Sequence, residues 1–378
     1  MSIQVLKPKF HVEECLEQVE ECLEKGWTGS GFKTVEFEEA WKEYTGHQNV
    51  RFLNSNTAGL HLAVNILKNQ NGWNDGDEII TTPITFVSTN HAIAYENLHP
   101  VFADIDEYLC LDPEDVERKI TDKTKAVMFV GYGGRVGQLD KIIKICKEHG
   151  LRLILDAAHM AGTRVNGTFP GTWDGVDVTV YSFQAVKNLP TGDSGAICFA
   201  ESEYDEIAWK MSWLGINKDT YARSNKGTYA WKYDVDYLGY KYNGNAIMAA
   251  IALVQLKYLD VENERRREIV ERYNEGFAGN PKIQIIPAPY HEECSYHIYE
   301  IAVPDREAML EELANYDIYA GVHYRDNTEY SMYTYALGTC PKAHEISQRI
   351  LTLPLHMWLS DEDVDKIIEV VNKATENM

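Results

Sequence analysis

Between residues 50 and 200, short runs rich in β-branched and aromatic residues alternate with longer amphipathic runs. The predicted strands are residues 50–53, 78–81, 100–104, 126–130, 151–155, 177–181 and 195–199. The predicted helices between them are residues 58–67, 86–95, 113–120 and 139–149. This alternation is typical of parallel strands, because each parallel connection needs a crossover that usually holds a helix. The sequence therefore predicts an α/β fold built on a mostly parallel sheet.

The length of the chain indicates more than one domain. It has 378 residues, which exceeds the size at which a single hydrophobic core keeps growing. We expect a large α/β domain over residues 1–255, including an N-terminal helical segment, and a smaller α+β domain over residues 256–378. The elements predicted around and after this boundary are helix 245–277, strand 297–303, helix 306–315 and a closing helix from residue 361.

The charge and hydropathy of the chain argue against two classes of partner. A formal net charge of −22 at pH 7 disfavours binding to nucleic-acid backbones and to anionic membrane surfaces, since both would repel the protein. The apolar run at residues 247–254 is far shorter than the roughly 18 residues that a spanning helix needs. The N-terminus also lacks the basic and apolar stretches of a secretory signal. We therefore expect a cytoplasmic protein that binds neither nucleic acid nor membranes.

Two charged residues follow predicted strands, where ligands bind in sheets of this kind. Asp156 comes directly after strand 151–155 and precedes two alanines and His159, and Lys187 lies 31 positions later. Such a pair suits pyridoxal phosphate (PLP), whose ring nitrogen needs a carboxylate and whose aldehyde needs an amine. Taken singly, a lysine is usually a solvated charge and a strand-end aspartate is often a helix cap. The pair therefore needs independent support.

A phosphate site is predicted at the start of helix 58–67. Thr57 and Ala58 open this helix directly after a strand and a turn. Backbone N–H groups and the helix dipole favour an anion at such a terminus. Ser182 is a further hydroxyl near Lys187, although by itself it is typical of an ordinary loop residue.

Eight ordered motifs support the cofactor. They are GWTGSG (26–31), NSNTAGLHLA (54–63), PITFVST (83–89), DAAH (156–159), SFQAVKN (182–188), GYKYN (239–243), AAIALVQL (249–256) and LPLH (353–356). With these motifs the chain resembles, over nearly its whole length, the DegT/StrS family of PLP-dependent sugar-nucleotide aminotransferases. That resemblance implies the aspartate aminotransferase fold, known as fold type I.

The resemblance also implies roles for the residues of the cofactor site. Lys187 would bind PLP covalently, and Asp156 would pair with the ring nitrogen. His159 would lie beside the phenolic oxygen, and Phe86 would stack on the ring, although an aromatic residue at a helix start more often enters the core. Ser182 would bind the phosphate together with Thr57 and Ala58.

Members of this family are similar in placing the active site at a homodimer interface. The resemblance implies that Lys241 and Asn243 reach the phosphate in the other subunit. Residues implied for the substrate side are Thr28, His323, Tyr324 and Arg325, although a histidine between a strand and aromatic residues is more often structural.

The implied reaction transfers an amino group from an amino acid, by resemblance L-glutamate, to a nucleotide-linked keto sugar. Within motif 239–243, residues 240–243 are most similar to the corresponding residues of enzymes that act on 4-keto-6-deoxy sugars, in pathways such as O-antigen biosynthesis. The alternatives are a 3-keto sugar nucleotide, a cyclitol, or a catalytically silent protein that keeps the fold. Lysine at position 187 favours transamination over the related dehydratases, which carry histidine there.

One segment departs from the family pattern. After strand 126–130 the family usually has a histidine and a tyrosine before a glycine, whereas residues 131–137 read GYGGRVG. Glycines between a strand and a helix also suggest a dinucleotide-binding fingerprint. Val136 occupies the position of its third glycine, so the spacing is wrong for a dehydrogenase. We expect the departure to affect the substrate side and to leave the cofactor site intact.

Overall fold

A computed structural model describes residues 2–218, 232–289, 292–376 and 378. The helices are α1 (Val12–Glu24), α2 (Phe32–Thr45), α3 (Asn56–Asn71), α4 (Ser88–Ala94), α5 (Pro113–Lys119), α6 (Leu139–His149), α7 (Ser202–Met211), α8 (Ala246–Phe277), α9 (Arg306–Asn315), α10 (Pro341–Arg349) and α11 (Asp361–Glu376). The strands are β1 (Asn49–Leu53), β2 (Glu78–Thr81), β3 (His99–Phe102), β4 (Thr124–Val130), β5 (Arg152–Asp156), β6 (Arg164–Val165), β7 (Val178–Ser182), β8 (Gly195–Phe199), β9 (Gln284–Ile285), β10 (Glu292–Glu293), β11 (Tyr299–Ala302) and β12 (Ile350–Leu353).

The largest sheet in the described part of the chain has seven strands in the order β1-β8-β7-β5-β4-β2-β3. Strands β7, β5, β4, β2 and β3 pair in parallel, and β8 runs antiparallel to both of its neighbours. The carboxyl ends of the parallel strands meet at one edge of the sheet, which is where such sheets bind ligands. The mostly parallel α/β fold predicted from the sequence is confirmed.

The antiparallel strand β8 has a simple physical cause. Residues 183–194 connect β7 to β8 without a helix, and a connection of this kind favours a hairpin, since parallel strands need a longer crossover. Ser182 therefore pairs with Gly195 at the end of the hairpin. The loop between them, which carries Lys187, consequently lies at the ligand-binding edge of the sheet.

An aromatic cluster packs beneath that loop. Trp41 and Phe37 of helix α2 are fully buried, and their rings meet Phe183 edge to face at centroid distances of 5.1 and 5.3 Å. Trp41 also meets Tyr181 of β7 at 5.0 Å. Because edge-to-face pairs add to the free energy gained from burial, this cluster fixes the segment from which the lysine loop begins.

Helix α8 joins two hydrophobic cores. Ala249 and Leu259 in its first half belong to a core that includes residues of the seven-stranded sheet, whereas Ile269 and Tyr273 in its second half belong to a core of C-terminal residues. That second core is built on the antiparallel sheet β12-β11-β9. The predicted boundary between residues 255 and 256 falls inside this continuous helix, so it stays a prediction.

Most predicted elements lie within two residues of the observed ones. For predicted helix 86–95 even this small difference matters, because the observed helix α4 begins only at Ser88. Phe86 therefore lies in the turn before the helix, and 60% of it is exposed.

In the described part of the chain, no helix has both the length and the apolar character that crossing a membrane requires.

We expect replacement of Trp41 by alanine to lower the free energy of unfolding by about 3–5 kcal/mol, because it removes a fully buried large side chain and leaves a cavity. Urea denaturation followed by circular dichroism measures this change. Val35→Ala on the same helix is the matched control, since Val35 is 52% exposed and its loss should cost little. A Trp41→Ala effect as small as that of the control would contradict the assigned role.

Candidate active site

Asp156 is the last residue of β5, and neutral donors hold its carboxylate in place. Thr89 Oγ1 donates to Oδ2 at 2.8 Å, while Asn56 Nδ2 and the Ala158 N–H donate to Oδ1 at 3.3 and 3.2 Å. Burial raises the pKa of the Asp156 carboxyl, and these hydrogen bonds and the nearby Lys187 oppose that rise. The site thus presents an oriented carboxylate at the carboxyl end of the sheet.

Lys187 lies on the loop between β7 and β8, and its side chain reaches the same site. Its Nζ atom lies 3.4 Å from Nε2 of His297. Burial lowers the pKa of the Lys187 amine to about 8, against the attraction of Asp156, which acts in the opposite direction. A substantial fraction of the amine is therefore neutral near pH 8 and can act as a nucleophile or a base.

His159 has one defined neutral form. Its Nδ1 atom accepts a hydrogen bond from the Gly133 N–H at 3.1 Å, which leaves the proton of the neutral ring on Nε2. Nε2 lies 3.1 Å from the hydroxyl of Tyr324. Burial, together with the nearby Lys187, lowers the pKa of His159 well below its usual range, so the ring stays neutral.

The predicted substrate-side residues near position 324 contact other parts of the chain. His323 Nδ1 lies 2.9 Å from Thr352 Oγ1, and the His323 carbonyl accepts a hydrogen bond from the Tyr132 hydroxyl. Burial lowers the pKa of His323 to about 4 and raises that of Tyr324. Arg325 instead forms an ion pair with Glu329 at 2.6 Å, with a side chain that is 57% exposed. The structure thus brings His323 and Tyr324 to the site but not the Arg325 guanidinium.

The anion site predicted from the sequence lies at the start of helix α3. Ser55 caps this helix by accepting a hydrogen bond from the Ala58 N–H at 3.1 Å, so the Ala58 N–H is already engaged. The N–H groups of Asn56 and Thr57 precede the first intrahelical bond, which Gly59 donates to the Ser55 carbonyl. Ser182 ends the neighbouring β7, with its Oγ accepting a long hydrogen bond from the Gln184 N–H at 3.4 Å.

Phe86 lies at the same edge with much of its ring surface open. Its centroid lies 6.3 Å from that of Tyr324, whose own ring stacks on His159. An exposed aromatic face at the ligand-binding edge of a sheet is suited to a flat heterocycle.

Lys241, Asn243 and Thr28 lie apart from this cluster. Lys241 and Asn243 line a cavity of about 390 Å³, and Lys241 Nζ lies 3.1 Å above the ring of Trp213. Asn243 Nδ2 donates to the Gly244 carbonyl, and its buried Oδ1 atom has no partner among the residues that the structure describes. Thr28 is exposed and accepts a hydrogen bond from the Ala246 N–H through its backbone carbonyl. Within one chain, none of the three forms a hydrogen bond with Lys187 or Asp156.

The sequence did not single out three residues that shape the site. Asn56 and Thr89 follow β1 and β2 at the ligand-binding edge, and their position after strands was the signal that could have found them. For His297 the sequence predicts only that it begins strand 297–303. Its signal is weak, because a lone histidine next to an apolar strand is typically structural.

Comparison with known proteins agrees with this geometry. The sequence profile of the DegT/DnrJ/EryC1/StrS aminotransferase family matches residues 10–372. The spore coat polysaccharide biosynthesis protein SpsC of Bacillus subtilis is 35% identical over 373 residues, covering 95% of this chain and 94% of SpsC.

Two solved structures share the fold over almost their full length. Spr1654 of Streptococcus pneumoniae, which has been solved in PMP- and PLP-forms, gives a TM-score of 0.91 for the PMP-form. It is 30% identical, with 100% of this chain and 98% of that chain covered. The sugar aminotransferase CalS13 of Micromonospora echinospora gives a TM-score of 0.90 at 26% identity, with 98% and 99% covered. The family match, the fold and the lysine–aspartate site agree: the chain belongs to the DegT/DnrJ/EryC1/StrS aminotransferase family and is a PLP-dependent enzyme.

Proposed function

We propose that this protein transfers an amino group from an amino acid, L-glutamate, to a nucleotide-linked keto sugar of the 4-keto-6-deoxy type. The observation that carries the proposal is the convergence of the Lys187 amine and the oriented Asp156 carboxylate on one edge of the sheet. The names of SpsC, a polysaccharide biosynthesis protein, and CalS13, a sugar aminotransferase, support a sugar as the amino acceptor.

The donor groups at this edge fit PLP. Lys187 supplies an amine for the aldehyde and Asp156 a carboxylate for the ring nitrogen, while Phe86 offers an aromatic face. The start of helix α3 and Ser182 supply N–H and hydroxyl groups for the phosphate. When bound, the protonated ring accepts the electron pair that a substrate carbon keeps when it loses its proton.

Asp156 holds the proton on the ring nitrogen. Its carboxylate must remain ionised for this, although burial raises its pKa. Three hydrogen bonds from neutral donors stabilise the charge without placing a competing cation beside it. The carboxylate is therefore available to the cofactor and is not consumed by an internal ion pair.

Lys187 would carry out a 1,3-proton shift. Its amine would remove the proton from the α-carbon of the amino donor and deliver it to the cofactor carbon that bears the amino nitrogen, and would do the reverse with the keto sugar, so the base ends each half of the reaction as it began. A pKa of about 8 suits this task, because a base is most effective when its pKa is near the working pH.

His159 and Tyr324 form a hydrogen-bonded polar pair in the site. Because the Nε2–H of neutral His159 donates to the Tyr324 oxygen, the Tyr324 hydroxyl keeps its own proton for another acceptor. We assign this proton to a polar oxygen of the bound substrate or cofactor.

A homodimer completes the site in this proposal. Lys241 and Asn243 form no hydrogen bond with Lys187 or Asp156 within their own chain. This separation suits residues whose partners belong to a second copy. The segment itself is fixed, because Tyr242 OH lies 2.9 Å from His61 Nδ1 on helix α3.

We expect Thr89→Val to weaken PLP binding about 10- to 100-fold, because it removes one hydrogen bond to a buried carboxylate. Absorbance titration of the cofactor-free protein with PLP measures the dissociation constant. Thr89→Ser is the matched control, since it retains the hydroxyl and should bind nearly as the natural protein does. Equal affinities for the valine and serine variants would refute the role of Thr89.

Incubation with L-glutamate and a panel of nucleotide-linked 4-keto and 3-keto sugars tests the reaction itself. Mass spectrometry should detect an amino sugar and 2-oxoglutarate in equal amounts, with the 4-keto-6-deoxy substrates fastest. Lys187→Ala should form neither product. An aminated 3-keto sugar or cyclitol would replace the proposed acceptor, and a protein that takes up no PLP would indicate a silent binder.

Mixing two inactive variants tests the shared site. Lys187→Ala lacks the base of its own site, and Asn243→Ala should damage only the partner's site. Random exchange of subunits should restore about a quarter of the natural activity, because half of the dimers then contain one intact site. If the mixture is no more active than the separate variants, Asn243 belongs either to the same active site as the Lys187 of its own chain or to neither active site of the dimer.

A further inference from the structure

His297 is held in one orientation by a chain of asparagine amides. Asn188 Nδ2 donates to the Ser295 carbonyl at 2.8 Å and to Asn263 Oδ1 at 2.7 Å, and Asn263 Nδ2 donates to the Ala161 carbonyl at 2.9 Å. Because backbone carbonyls only accept hydrogen bonds, the orientation of both amides is fixed. Asn188 therefore turns its Oδ1 atom, an acceptor, toward His297.

The position of the proton on His297 follows from this arrangement. His297 Nδ1 lies 3.2 Å from Asn188 Oδ1 and must donate to it. The lone pair of the neutral ring is then on Nε2, the atom that lies 3.4 Å from Lys187 Nζ. His297 is 2% exposed, so the ring is confined to this arrangement.

The surroundings keep His297 neutral. Its ring lies 4.4 Å from that of His159, and Arg266 donates to its carbonyl at 3.5 Å. Burial, followed by the positive charges of Lys187 and Arg266, lowers the pKa of His297 well below its usual range. His297 therefore accepts a hydrogen bond without taking up the proton.

We propose that His297 is a positioning residue that binds the released amine of Lys187 through Nε2 during catalysis. The inference rests on the proposed role of Lys187 as the base. Both the amine and the ammonium carry an N–H, so the bond to His297 persists while Nζ gains and returns the substrate proton. It directs the remaining lone pair of the amine toward the substrate carbon and stabilises the ammonium after the transfer.

The pKa of Lys187 in the cofactor-free protein separates this role from simple packing. Loss of the acceptor destabilises the ammonium and lowers that pKa, whereas a loosened structure admits water and raises it toward the value of a solvated lysine. The two explanations therefore predict shifts of opposite sign.

We would compare the natural protein with His297→Leu and His297→Gln. The rate of acetylation of Lys187, followed by peptide mapping against pH, should have a midpoint near 8 in the natural protein. We expect the midpoint to fall by about one pH unit in His297→Leu and to stay near that of the natural protein in His297→Gln, whose amide oxygen replaces Nε2. An unchanged or raised midpoint in His297→Leu would overturn the proposal.

His47→Leu is the matched control. His47 is also a buried histidine, but its Nε2 atom contacts the Tyr181 hydroxyl at 3.2 Å and it has no hydrogen bond to Lys187. Its removal should leave the Lys187 midpoint unchanged, and a shift equal to that of His297→Leu would overturn the specific role of His297.

Borohydride reduction of the PLP-loaded protein separates the two proposals. If peptide mapping finds the reduced cofactor on Lys187, a failed titration overturns only the role of His297. If Lys187 carries no label, the proposed function fails, and the inference that rests on it fails as well.

Discussion

The site depends on how one buried carboxylate is stabilised. Asp156 lies at the carboxyl end of a central strand, where burial opposes its charge, and the hydrogen-bond donors around it are neutral groups. Burial lowers the pKa of Lys187, and the attraction of Asp156 opposes that effect only in part. The carboxylate is satisfied by Thr89, Asn56 and a backbone N–H rather than by a direct ion pair with Lys187, which keeps a reactive amine.

The topology of the sheet places these two groups on the same side of the molecule. Strand β5 carries Asp156 to the edge, and the β7–β8 hairpin returns the chain at that edge with Lys187 on its connecting loop. The aromatic cluster around Trp41 fixes the hairpin from below. Residues that follow helix α8 then complete the site, because His297 contacts Lys187 and Tyr324 contacts His159.

The histidines of the site share one electrostatic property. Burial and nearby cations lower the pKa values of His159, His297 and His323, so neutral imidazoles surround Lys187. Defined hydrogen bonds fix the proton on Nε2 of His159 and on Nδ1 of His297. The two rings therefore differ in function although their chemistry is the same: one donates toward Tyr324 and the other offers a lone pair to Lys187.

The sequence by itself determined the features that depend on local patterns. Three features could be predicted in this way: the alternation of strands and helices, the position of Asp156 at the end of a strand, and the start of helix α3. They depend on the hydrophobic periodicity and on turn residues, which act over only a few positions of the chain. Only the tertiary structure decided the antiparallel direction of β8, the exposed position of Arg325 and the contacts of Lys187 with His297 and of His159 with Tyr324. These partners lie 110 and 165 positions apart, and no local pattern records the packing that brings such distant segments together.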